Sequence, residues 1–163
     1  SGLQMIEAYG AFANKGVRMK PYLVSKIESS NGNIIFENRP TQVRQVIGEK
    51  EAGELTKMLE LVVENDGTGK LAKIPGYPVA GKTGTAQKVN SQTKAYDPNN
   101  FVSSFIGYVP AAKPKYVIYV VYDSPQGVHY GGAVAAPVFR DIAREALAYA
   151  GVPPEKNEFA RQP

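Results

Sequence analysis

Two chemistries compete for the stretch Gly81-Lys82-Thr83-Gly84-Thr85-Ala86-Gln87. Taken with the residues before it, Gly76-Tyr77-Pro78-Val79-Ala80-Gly81-Lys82-Thr83 satisfies G-x-x-x-x-G-K-[ST], a loop whose backbone N–H groups cradle nucleotide phosphates. Taken with the residues after it, Lys82-Thr83-Gly84 reads as a strand that presents a cation and a hydroxyl to a carboxylate. A phosphate loop has to leave a buried strand and open a helix whose N-terminal N–H groups hold the anion. Upstream, Pro75 and Pro78 interrupt the segment where that strand would run, and proline cannot donate to a ladder. Downstream, Thr83, Thr85 and Val89 are β-branched, Gly84 disfavours helix, and a polar loop from Asn90 to Asn100 follows at once. The strand reading is preferred. The nucleotide alternative, Gly76 to Thr83 with a magnesium-binding Asp123 at the end of the apolar run Val117–Tyr122, keeps one point in its favour.

On a strand, side chains alternate, so Lys82 and Gly84 face one way while Thr83 and Thr85 face the other. A glycine at 84 lets a substrate backbone approach closely, and a free strand edge can pair with an extended peptide. The single histidine, His129, sits in Gly127-Val128-His129-Tyr130-Gly131-Gly132 and invites a general-base role. No serine or carboxylate stands at a telling spacing from it, so His129 and Tyr130 read as residues of the cleft rim. Gly131-Gly132 reads as the turn before the last helix.

The elements that must position these residues read as α+β. Met5, Ala8, Tyr9, Phe12 and Ala13 mark a helix over residues 3–15, stopped by Gly16. Asn31-Gly32 marks a hairpin between strands Tyr22–Ser29 and Asn33–Glu37. Leu55, Met58, Leu59, Val62 and Val63 mark a second helix over about 49–65, ended at Asp66-Gly67. Three antiparallel strands follow, at about 79–89, 101–109 and 115–123. The last is apolar at every position from Tyr116 to Tyr122, which predicts a central strand covered on both faces. Phe139, Ile142, Ala143, Ala146, Leu147 and Ala150 form the stripe of a final helix, with Pro137 in its first turn and Gly151 at its stop. That helix covers one sheet face; the other is expected to leave apolar area exposed or to drive self-association.

Composition bounds the function. At 163 residues and 43% hydrophobic content the chain can bury the core of one domain. The net charge of +4 comes from scattered basic residues without a stripe or aromatic interleaving, which argues against a nucleic-acid partner. With no cysteine and one histidine, disulfides and thiolate or His-rich metal sites are excluded, and no cofactor is expected. No run of eighteen or more apolar residues is present, so any membrane anchor lies outside these residues.

From Gln4 to Pro154 the chain resembles the C-terminal half of the transpeptidase domain of class B penicillin-binding proteins. The resemblance rests on Leu3-Gln4-Met5-Ile6-Glu7-Ala8-Tyr9 with Ala13-Asn14-Lys15-Gly16, on Gly67-Thr68-Gly69-Lys70, and on Val79 to Gln87. Phe105-Ile106-Gly107-Tyr108-Val109-Pro110 and Tyr130-Gly131-Gly132-Ala133-Val134-Ala135-Ala136-Pro137-Val138-Phe139 complete it in the same order. The turn Asp123-Ser124-Pro125-Gln126-Gly127 resembles the septal, division-associated branch.

This resemblance implies the α+β transpeptidase and serine β-lactamase-like fold, with an antiparallel sheet of about five strands carrying helices. It also implies that residues 1–154 form part of one transpeptidase domain, followed by a polar tail at 155–163. The reaction implied is peptidoglycan cross-linking through a serine acyl-enzyme. Lys82 would hold positive potential over the cleft, Thr83 and Thr85 would bind the carboxylate of a D-alanyl terminus or a β-lactam, and the Thr85 N–H would donate to the oxyanion. Gly84 and Gln87 would complete the substrate site. The implied partners are the peptidoglycan stem peptide ending in D-Ala-D-Ala, β-lactams, the N-terminal part of the same enzyme, and membrane proteins of the division complex. The implied location is the bacterial inner membrane, with the transpeptidase domain facing outward.

The same family needs a serine nucleophile in S-x-x-K and a second serine in S-x-N, upstream of K-T-G. The two local hits, Ser91-Gln92-Thr93-Lys94 and Ser29-Ser30-Asn31, come in the wrong order and the wrong context, one in a polar loop and one at a hairpin turn. The expectation is a chain that supplies the K-T-G strand without the nucleophile and does not acylate alone. A β-lactamase needs a water-positioning base that nothing here marks. A non-catalytic peptide-binding domain remains as the other alternative.

Overall fold

The computed structural model describes residues 1–155. Helix α1 spans Gly2–Ala13 and is followed by four short strands, β1 (Val17–Met19), β2 (Lys26–Glu28), β3 (Ile34–Glu37) and β4 (Gln42–Gln45). Helix α2 (Glu49–Leu61) leads into a 3-10 turn at Lys70–Ala72, then β5 (Ala80–Val89), β6 (Tyr96–Val109) and β7 (Tyr116–Asp123). A one-turn helix α3 (Gly131–Val134) runs into α4 (Ala136–Tyr149).

The main sheet has three strands in the order β5-β6-β7, all antiparallel, and not about five. The short strands instead pair among themselves, β1 with β4 and β2 with β3. Nor is the apolar Tyr116–Tyr122 segment central. It forms β7, an edge strand whose residues Tyr116 to Val120 are partly buried under helices on both faces. Tyr116, Ile118 and Val120 pack toward the cluster of Phe105, Phe139, Ala143 and Leu147. Val117 packs toward Leu59, Ala80 and Tyr108, with Tyr9 and Phe12 of α1 against them. A two-faced edge strand and a central strand carry the same sequence signature. In the same way β6 begins at Tyr96, so half of the stretch expected as polar loop is strand, with Val89 opposite Tyr96.

Helix α4 starts with Pro137 in its first turn and ends at Gly151, whose φ of 62° closes the helix as glycine allows. Its buried line is Ala136, Phe139, Ala143 and Leu147, while Ile142 and Ala150 of the expected stripe face solvent. Phe139 meets Phe105 of β6 with ring centroids 4.8 Å apart and tilted at 59°, an edge-directed contact that fixes α4 on the sheet. On the opposite face α1 and α2 cover only the end of the sheet near Ala80 and Tyr108; Ala86 and Val121 further along that face are exposed. Leu3, Met5 and Ile6 of α1 are exposed as well, so Met5 lies outside the buried stripe expected of that helix. Helix α2 stops at Leu61, and a run of turns carries the chain to Gly69.

Candidate active site

The K-T-G strand is β5, the outer strand of the sheet, with one edge unpaired. Its register sets Thr83 opposite Phe105 and Thr85 opposite Ser103 on the face that carries α3 and α4. Lys82 and Gly84, opposite Ile106 and Ser104, belong to the other face. The Lys82 ammonium does not stay there. It curls along the free edge to donate to the Thr83 carbonyl at 3.1 Å and reaches the Thr83 hydroxyl at 3.5 Å.

The Thr85 hydroxyl accepts a hydrogen bond from the Gly131 backbone N–H at 3.0 Å, which leaves its own proton free to donate outward. That contact depends on glycine: a Cβ at residue 131 would stand 2.3 Å from both the Gly84 and the Ser104 carbonyl oxygens. At Gly132 a Cβ would stand 2.0 Å from the Thr68 carbonyl oxygen. The segment before α3 is thus laid directly on the sheet. Ser103, fully buried beneath it, donates its hydroxyl to the His129 carbonyl. The His129 ring stacks on Phe101 with centroids 3.9 Å apart and planes 9° from parallel, and Tyr130 lies beside it at 4.7 Å.

These elements enclose an open pocket of about 410 Å³ lined by Thr68, Lys70, Leu71, Thr83, Thr85 and Tyr130, with Gly132 and Ala133 completing its wall. Among the described residues no ion pair involves Lys70 or Lys82. The pocket therefore combines three hydroxyls and nearby ammonium groups without a compensating carboxylate, an arrangement suited to an anionic group on a ligand. Gln87 stands further along β5, opposite Phe101 and outside the pocket lining.

The phosphate-loop alternative is overturned. Gly81 and Lys82 lie inside a strand and no helix follows Thr83, so no helical N–H groups converge to hold phosphate. Asp123 is committed to Lys88, whose ammonium donates to it at 2.6 Å. That contact holds the Asp123 carboxyl below its usual range.

Ser91 sits in the turn joining β5 to β6, where the Asn90 side chain accepts the N–H groups of Gln92 and Thr93 and Lys94 has a φ of 59°. No helix places Lys94 over Ser91, and the seven residues from Lys82 to Val89 put that turn about 23 Å along the strand from Lys82. Ser29 closes the β2–β3 hairpin, its hydroxyl engaged by Asn33 N–H at 3.1 Å.

Residues 1–144 match the penicillin binding protein transpeptidase domain family. The chain belongs to that family. Stage V sporulation protein D of Bacillus subtilis (strain 168) is 39% identical over 162 residues, an alignment covering 98% of this chain and 25% of the relative. Peptidoglycan D,D-transpeptidase FtsI of Buchnera aphidicola subsp. Baizongia pistaciae is 32% identical over 94% of this chain and 25% of its own length. The crystal structure of penicillin-binding protein 3 from Mycobacterium tuberculosis, complexed with ampicillin, superposes with a TM-score of 0.85 at 35% identity. That superposition covers 96% of this chain and 36% of that one. The chain thus spans about a quarter of the length of the curated relatives it matches. Its fold is that of the penicillin-binding-protein transpeptidases.

Thr68 and Lys70 were not among the residues that sequence reasoning assigned to the site. A signal for them existed in the block Gly67-Thr68-Gly69-Lys70, but nothing in its composition says that the loop after α2 returns to β5. Ser103 was equally hidden: nothing in Phe101-Val102-Ser103-Ser104-Phe105 marks which serine is buried or the carbonyl it will meet.

Proposed function

We propose that this chain supplies the K-T-G half of the active site of a peptidoglycan D,D-transpeptidase that cross-links stem peptides during cell division. The observation that carries this is the row of Thr83 and Thr85 hydroxyls on an edge strand, with the Lys82 ammonium beside it and no carboxylate to neutralise it. A D-alanyl-D-alanine terminus is an extended peptide ending in a carboxylate. Strand addition along β5 aligns its backbone, and Thr83, Gly84 and Thr85 line up against its end. Gln87, further along β5, would meet the residues preceding that terminus. His129 and Tyr130 would form the rim.

The nucleophile is a serine outside these 163 residues. Its Oγ attacks the carbonyl of the penultimate D-alanine; the terminal D-alanine leaves with a proton, and an acceptor amine of a second stem peptide resolves the ester. Lys82 supports this by keeping positive potential where the oxyanion and the leaving carboxylate gather. The Thr85 N–H serves as one oxyanion donor, a role typically worth about 2.7 to 4 kcal/mol of transition-state stabilisation. A β-lactam enters the same site because its carboxylate and strained amide imitate the peptide terminus. The whole protein faces the exterior of the cell membrane from an anchor outside this chain and works beside other membrane proteins of the division complex. Residues 1–154 form one part of the transpeptidase domain and 155–163 a polar tail, almost all of which lies outside the described residues.

Acylation of the complete protein by a fluorescent penicillin tests this. The label is expected on a serine outside this chain, competed by unlabelled penicillin, and slowed at least tenfold by Lys82→Ala, consistent with the loss of one charge-assisted contact. A complete protein that takes no label overturns the proposal.

A further inference from the structure

We propose that Thr68 is a third hydroxyl donor to the substrate carboxylate, acting beside Thr83 and Thr85. The inference rests on the carboxylate-binding role given to β5 above and extends it to a residue on a different element. Thr68 lies in the turn between α2 and the 3-10 segment. That turn is pinned on both sides of it, by Gly67 N–H donating to the Glu64 carbonyl and Gly69 N–H to the Val62 carbonyl, each at 2.8 Å. The close approach of Gly132 to the Thr68 carbonyl fixes it from above.

The loop therefore delivers one side chain to the pocket in a set position, and that side chain is exposed rather than packed. Its hydroxyl lies 3.0 Å from the Thr83 hydroxyl. The Lys82 ammonium can only donate, so its 3.5 Å contact makes Thr83 an acceptor. The Thr83 proton is then free, and because either hydroxyl can donate across the Thr68–Thr83 contact, both protons can turn to an anion in the open pocket. Thr85 is oriented the same way by the Gly131 N–H. An anion entering the pocket thus meets O–H groups from Thr68, Thr83 and Thr85, contributed by two separate elements.

A purely structural Thr68 would orient Thr83 and nothing more. The two roles separate when the ligand's carboxylate is varied as well as the residue, because only a direct contact couples the two changes. The test is the second-order rate of acylation of the complete transpeptidase by benzylpenicillin and by its methyl ester, for wild type, Thr68→Val and Thr68→Ser. Thr68→Val keeps the shape and removes the hydroxyl; Thr68→Ala replaces it should the valine variant fail to fold.

Loss of one hydrogen bond to a charged group predicts a fall of about tenfold or more for the acid. The ester penalty seen in wild type should shrink by a similar factor in Thr68→Val, and Thr68→Ser should stay within about threefold of wild type for the acid. A Thr68→Val enzyme that acylates at the wild-type rate, or that loses equally against acid and ester, overturns the inference. The underlying reading fails separately: in that case Lys82→Ala and Thr85→Val also leave acylation by the acid unchanged.

Discussion

The β5-β6-β7 sheet and the β2-β3 arm are both antiparallel and both rich in β-branched and aromatic residues, yet one is a scaffold and the other is bare. In the sheet, strands of eight to fourteen residues hold Phe105, Tyr108 and Val109 at no measurable exposure, with α4 on one face and α1 and α2 on part of the other. In the arm, every residue of β2 and β3 is exposed, including Ile27, Ile34, Ile35 and Phe36, and neither strand pairs with anything beyond its partner. The same hydrophobic side chains stabilise where a second layer covers them and contribute little where none does. The sheet keeps Lys82, Thr83 and Thr85 in a fixed register, and elements distant in sequence converge beside them on one pocket.

Substitutions can break that contrast. Phe139→Ala removes the ring that seats α4 on Phe105 and is expected to cost about 3 to 5 kcal/mol, read as a lowered midpoint in denaturant. Gly131→Ala forces a methyl against two carbonyl oxygens. It is expected to displace the segment before α3, abolish the Thr85 contact and slow penicillin acylation of the complete protein more than Lys82→Ala does. Tyr108→Phe deletes the hydroxyl that meets Thr56 at 2.7 Å inside the α2 side of the core, at about 1 kcal/mol in the same denaturant assay. Phe36→Ala, equally aromatic but on the arm, should stay within about 0.5 kcal/mol of wild type; a loss like that of Phe139→Ala would mean that the arm is covered after all.

The smallest effect belongs to Asp123. Its carboxyl is held low by the Lys88 ammonium, so the pair contributes stability above the ordinary aspartate range and loses it as pH falls through the depressed value. Asp123→Asn should lower the thermal midpoint slightly at neutral pH and leave it nearly unchanged at low pH, which flattens the acid limb of the profile, as measured by thermal midpoints across pH.

What could be read in advance followed from local rules. The helices at the start, middle and end declared themselves by 3.6-residue spacing, and alternation placed Lys82 and the two threonines on opposite faces of β5. The order of the strands did not declare itself. Tyr116 to Val120 are partly buried because helices clasp an edge strand, while Val121 and Tyr122 are exposed, so the apolar run records neither full coverage nor position in the sheet. The site was legible where one segment carries it, in Lys82 to Thr85. It was illegible where segments far apart in sequence meet, as Thr68 meets Thr83 and Ser103 meets the His129 carbonyl. Such contacts depend on how α2 and α3 return to the sheet, which no local spacing encodes.

The most direct test of the central claim is the intact mass of this 163-residue chain after incubation with a reactive penicillin, alone and with the S-x-x-K half of the domain added in trans. The claim that β5 provides the carboxylate-binding half of a site whose nucleophile lies elsewhere predicts an unchanged mass for this chain in both cases, and an adduct on the added half. A penicillin adduct on Ser91 or Ser29 of this chain would contradict it.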